Sequence, residues 1–165
     1  MTTAAGQRIE AFSVNGRPAD CVRLAVKNLL PEPPELVLSG INRGANDGVC
    51  VFYSGTVAAA AEACLLGIPA IALSAKVHDG GVQFERAGAL AGDVLANVIA
   101  AGVEPGDFLN VNFPALTDPV WPIGVRVARQ SRAELLDHYE TVDSDDGATV
   151  YQLGPIYDTG HDGDD

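Results

Sequence analysis

Basic residues are scarce in this chain. Ten Lys and Arg stand against 22 Asp and Glu, for a formal net charge of −12. A surface of that sign repels phosphate polyanions and argues against a nucleic-acid polymer or an anionic membrane as partner. It leaves open a small anionic substrate held by backbone N–H groups or by a metal. Cysteine is scarce too. Cys21, Cys50 and Cys64 are odd in number and lack zinc spacing, so a reduced, cytoplasmic protein without a disulfide framework is expected. No apolar run reaches transmembrane length, and Met1 to Ala5 lacks the basic and apolar parts of a signal peptide. Internal repeats and an interdomain linker are also missing.

What is present suits one domain. The 165 residues are 47% hydrophobic, enough for a sizeable core and too apolar for a disordered chain. The stretch from Leu36 to Ser74 organises the rest. Leu36-Val37-Leu38 is a short apolar run between Pro34 and Gly40, and reads as a buried strand. A polar loop with Gly40, Asn42, Gly44, Asn46, Asp47 and Gly48 follows. Ser54 heads an Ala-rich run to Leu66, with Gly67 and Pro69 behind it, which predicts a capped helix. Ala70 to Leu73 is a second buried strand. Strand, loop, helix and strand make a βαβ unit with parallel strands.

The flanks are read in the same way. Arg8 to Val14 is predicted as a strand. Pro18 and Asp20 open a helix whose Val22, Ala25, Val26, Leu29 and Leu30 share one face, and Pro31, Pro33 and Pro34 end it. Phe84 to Ala101 is a second long helix, and Phe108 to Phe113 and Gly124 to Ala128 are strands. Tyr139 to Val142 and Thr149 to Leu153 flank Asp145-Asp146-Gly147 as a hairpin.

The chemistry of a βαβ unit lies where the first strand ends and the helix begins. The free N–H groups of Gly55, Thr56 and Val57, with the helix dipole behind them, suit a phosphate. The hydroxyls of Ser54 and Thr56 can add hydrogen bonds, and Gly55 would let a ligand approach the backbone. The glycines do not fall in a dinucleotide fingerprint, there is no P-loop Lys, and Tyr53 stands where an EF-hand needs its Glu. The loop is either an anion or metal site or a tight structural turn. Asn42 is either a neutral oxygen ligand to a hard divalent ion or an Asn in a left-handed turn conformation. Tyr53 is favoured as a core aromatic. His78, in a polar loop on the same edge, reads more readily as surface than as catalytic, and His138 and His161 carry no spacing signal. Asp143, Asp145 and Asp146 read as a solvated hairpin tip, and Asp162, Asp164 and Asp165 as a loose acidic end.

These residues carry a resemblance. Ser39-Gly40-Ile41-Asn42-x-Gly44-x-Asn46-x-Gly48, followed by Tyr53-Ser54-Gly55-Thr56-Val57-x-Ala59-Ala60, closely resembles the central motif of the SurE family of metal-dependent 5′/3′-nucleotidases. Gly16-x-Pro18-Ala19-Asp20-Cys21-Val22, Leu66 to Ser74 and Leu109-Asn110-Val111-Asn112-Phe113-Pro114 are also similar to family segments. The resemblance implies a Rossmann-like, three-layer α/β/α fold with a mostly parallel sheet. Within a single domain spanning 1–165, the core would cover 7–129 and a C-terminal β-hairpin extension 130–165. It implies removal of phosphate from nucleoside monophosphates with Mg²⁺ or Mn²⁺, and a homo-oligomer, dimer or tetramer, in the complete family form. By the match, Asn42 is the metal ligand, and Ser54, Gly55, Thr56 and Asn46 hold the phosphate.

There are departures. The family opens with a strand ending in an Asn-Asp-Asp-Gly whose Asp pair holds the metal, with a further Ser ligand. Met1 to Gly6 does not supply that opening. Arg17 stands where the family has a capping Thr, and the family continues beyond His161 to Asp164. The expectation is therefore the middle of a family member, weak or inactive as this chain. The alternatives are a non-catalytic phosphate- or nucleotide-binding module and a subunit completed by another chain.

Overall fold

The computed structural model of the chain describes residues 6, 8–78, 81–116, 122–131, 138–143 and 147–154. The described elements are helix α1 (Pro18–Leu24) running into a π-turn (Ala25–Leu29), strand β1 (Val37–Arg43), a 3-10 turn (Gly48–Tyr53), helix α2 (Gly55–Leu65), strand β2 (Ala70–Ala75), helix α3 (Phe84–Ala101), and strands β3 (Phe108–Phe113), β4 (Tyr139–Asp143) and β5 (Thr149–Leu153).

β2 is the centre. It pairs in parallel with β1 on one side and β3 on the other, so the three-stranded sheet has the order β1-β2-β3. Every residue of β2 is buried, as a strand covered on both faces requires. Its side chains alternate between two cores. Ile71, Leu73 and Ala75 meet Ala87 and Ala91 of α3, while Ala70 and Ala72 meet Val57, Ala60 and Ala63 of α2. The helices thus cover opposite faces, and the expected three layers form. Complete burial of Ile71 stabilises the sheet by about 2–3 kcal/mol on transfer grounds.

The helices start and stop for local reasons. Ser54 Oγ accepts the Val57 N–H at 3.2 Å and caps α2, and Gly67, with φ +80°, ends it. The small Ala60 and Ala63 are fully buried and bring α2 close to the sheet. α1 and the π-turn after it pack on the α2 side of the sheet through Val22 and Val26. No side-chain bond from Arg17 caps α1; the Asp20 carboxylate reaches back instead to accept the Arg17 N–H at 2.9 Å. Arg23 Nη2 lies 2.6 Å from Glu62 Oε1 and joins α1 to α2, without the alignment of a hydrogen bond.

Four expectations are corrected. Arg8 to Val14 forms no strand, and Ile9 and Phe12 are 42% and 51% exposed. Gly124 to Ala128 is not a strand either. Its Val125 and Val127 are 81% and 96% exposed, and the run pairs with no strand among the described residues, so β propensity alone builds none. β1 extends past Leu38 to Arg43, so Gly40, Ile41 and Asn42 belong to the strand and not to the loop. Tyr53 is 78% exposed and is no core aromatic, because the 3-10 turn ahead of α2 points it outward. The hairpin stands as expected, β4 pairing antiparallel with β5. Asp145, Asp146 and the segment 155–165, with His161, Asp162, Asp164 and Asp165, lie outside the described residues.

Candidate functional site: the turn between β1 and α2

The site is built by a bulge. Up to Ser39 the register is regular, with Ser39 opposite Ala72; then two residues of β1, Gly40 and Ile41, face the single Leu73, and Asn42 falls opposite Ser74. An unbroken register would set Asn42 opposite Ala75, on the face that meets α3. One extra residue turns it to the other face, with Ser74 and the start of α2. Glycine is needed there: at φ +126°, a Cβ on Gly40 would overlap the Leu73 carbonyl. Since Ser74 also pairs with Asn112, the row Asn42, Ser74, Asn112 crosses all three strands on one face, at their C-terminal ends. That end of an open parallel sheet is where ligands bind.

The structure brings Asn42 and the helix turn together. Thr56 Oγ1 donates to Asn42 Oδ1 at 3.3 Å, and Asn42 Nδ2 donates to the Gly44 carbonyl at 2.9 Å. No non-Gly residue among those described has positive φ, which rules out the left-handed reading of Asn42. Of the three candidate amides, Val57 N–H is taken by Ser54 Oγ. Among the described residues, the N–H groups of Gly55 and Thr56 meet no acceptor. α2 has 11 residues, so its dipole adds roughly half a positive charge at this end. Two free donors on a positive helix end, with the Thr56 hydroxyl beside them, can bind one phosphate group.

Two of the expected phosphate-binding residues also make contacts within the fold. A Cβ on Gly55 would meet Pro18 Cγ at 3.0 Å, so this glycine serves the close contact of α1 with α2. Asn46 is drawn into the structure: it is 7% exposed, and its Nδ2 donates to Ser74 Oγ at 2.7 Å. The partners that hold it, Ser74, Asn110 and Asn112, were not singled out from sequence. Their alternation in β3, facing the same side as Ser74, was the available signal. His78 is exposed and its backbone bridges to Gly81. His138 Nε2 lies 3.3 Å from Glu140 Oε1 on the hairpin.

A hard divalent cation takes six or more oxygens, carboxylates prominent among them. The turn offers Asn42 Oδ1, already an acceptor for Thr56, and no group of three or more His, Cys, Asp or Glu is gathered among the described residues. The donor set in view does not by itself fit a Mg²⁺ or Mn²⁺ ion.

With the geometry in hand, comparison with known proteins is informative. The family model described as survival protein SurE matches residues 1–137. The 5′-nucleotidase SurE of Desulfatibacillum aliphaticivorans is 51% identical over 131 residues, covering 79% of this chain and 51% of that protein. The 5′-nucleotidase SurE of Synechococcus sp. (strain RCC307) is 43% identical over 146 residues, covering 88% and 52%. The crystal structure of the SurE protein from Aquifex aeolicus superposes with a TM-score of 0.70 at 36% identity, over 85% of this chain and 56% of that one. The chain spans about half the length of the curated relatives it matches.

Proposed function

This chain belongs to the SurE family, and on that premise we propose that it holds the phosphate of a nucleoside monophosphate at the turn ahead of α2, as part of a metal-dependent phosphomonoester hydrolase. The observation that carries the reading is the pair of N–H groups on Gly55 and Thr56, which meet no acceptor among the described residues. They would donate to phosphate oxygens and stabilise the charge that grows there in hydrolysis. Ser54 supports them by fixing the first turn, and Thr56 Oγ1 adds a third donor. The names of the relatives, 5′-nucleotidase, support a nucleotide as the phosphomonoester. Tyr53, next in the chain to Ser54 and 78% exposed, is accessible to the rest of such a ligand.

Asn42 Oδ1 is the oxygen this turn would offer to a Mg²⁺ or Mn²⁺ ion, and the described residues gather no carboxylates beside it to complete the coordination. One neutral oxygen binds such an ion weakly, so the 165-residue chain alone is expected to bind phosphate but to hydrolyse it slowly or not at all. The donor set equally favours a second reading, a phosphate- or nucleotide-binding module without metal chemistry. A phosphate-release assay on nucleoside monophosphates with Mg²⁺ or Mn²⁺, run beside calorimetry with and without Mn²⁺, tests both. Binding that tightens with Mn²⁺, with slow release, is the expected result. Metal-independent binding without release favours the module. Absence of any binding removes the phosphate site.

A further inference from the structure

Asn46 is held from three sides. Its N–H donates to Asn112 Oδ1 at 2.8 Å. Its carbonyl accepts from Asn110 Nδ2 at 2.7 Å and from Asn112 Nδ2 at 3.3 Å. Its Nδ2 donates to Ser74 Oγ at 2.7 Å, and Ser74 is fully buried. Residues 45–47 have no regular secondary structure of their own, so these bonds, from residues 28 to 66 positions away, are what fixes the path of the loop. That loop joins Asn42 to the turn before α2.

We propose that Asn110 and Asn112 are positioning residues for the anion-binding turn, acting through Asn46. The inference rests on the reading of that turn as a phosphate site. Carboxamides are the right groups for the task. Each supplies a donor and an acceptor without charge, whereas an Asp would lose the donor and set a negative charge at the sheet end that an anion approaches. Ser74 completes the arrangement. Its hydroxyl accepts from the Asn46 carboxamide and, being able to donate as well, would hold it in either orientation. Asn110 and Asn112 lie on the sheet face of Ser74, while Val111 between them packs towards α3. One strand therefore separates loop positioning from core packing.

The test uses the whole chain, ¹⁵N-labelled, with inorganic phosphate as probe. Two quantities are read: the hydrogen-exchange rate of the Asn46 amide, and phosphate affinity from the shifts of the Gly55 and Thr56 amides. Asn112→Ala removes both of its hydrogen bonds to Asn46 and is expected to speed Asn46 exchange and weaken phosphate binding, each by at least about tenfold. Val111→Ala is expected to lower the thermal midpoint while leaving both quantities within about twofold, because its side chain faces the other core. If Asn112→Ala fails to fold, Asn110→Ala carries the same expectations through its single bond. Unchanged phosphate affinity or unchanged Asn46 exchange in the Asn variants overturns the proposal alone, as does an equal loss of affinity in Val111→Ala. A wild-type chain whose Gly55 and Thr56 amides ignore phosphate overturns the phosphate reading and the proposal with it.

Discussion

Thr56 and Asn42 share a hydrogen bond of 3.3 Å, long enough to be exchanged for a stronger partner. If a cation were held here, Asn42 Oδ1 would be the oxygen to hold it, and the Thr56 hydroxyl would then be left to face the phosphate. Asn42→Ala is therefore expected to abolish any gain in phosphate affinity from Mn²⁺ and to leave metal-free binding within about threefold, since the two backbone donors persist. Calorimetry with and without Mn²⁺ checks this, and an Mn²⁺ effect that survives in the variant removes Asn42 from the metal site. Ser54 acts one step back. Ser54→Ala removes the cap and is expected to lower stability by about 1 kcal/mol, measured by urea denaturation. At Gly55 the sequence suggested room for a ligand, whereas the packed structure shows the Pro18 ring against it. No property of the residue could separate those uses, because both ask only for a missing Cβ.

At the scale of elements, the bulge in β1 decides which face Asn42 occupies. Gly40→Ala places a Cβ against the Leu73 carbonyl at a φ that suits glycine. The expected outcome is a loss of about 1–3 kcal/mol, together with loss of any gain in phosphate affinity from Mn²⁺ as Asn42 is re-aimed, read by denaturation and by calorimetry with and without Mn²⁺. Stability loss without any effect on binding would show that the bulge does not orient the site. Elements with strong local signals were legible. α3 runs from Phe84 to Ala101 and β3 from Phe108 to Phe113, as the apolar spacing and the flanking Gly and Pro predict. The bulge was not legible, since a register is a relation between two strands and leaves no mark in one. The same reason explains the runs 8–14 and 124–128, whose residues favour strands but pair with no named strand among the described residues.

At the scale of the molecule, the outer edges of β1 and β3 have no strand partner among the described residues, and β4 and β5 pair only with each other there. Leu38 in β1 and Leu109 in β3 are 48% and 38% exposed. Open edges with apolar side chains promote association, which favours completion of the sheet by another copy or another chain. Light scattering is expected to give a mass above the 17.1 kDa of one chain at micromolar concentration. A strictly monomeric chain at high concentration would count against it. No described helix is long and apolar enough to cross a membrane.

The sequence by itself determined the βαβ order, the capped helix behind Ser54, the two long apolar elements after it and the motif that marks the family, because each depends on residues near one another in the chain. Only the tertiary structure decided that Asn42 turns towards α2, that Gly55 serves Pro18 and that Asn46 is gripped by Ser74, Asn110 and Asn112. Those are contacts between segments up to 66 residues apart, and they exist only once the strands have fixed their register.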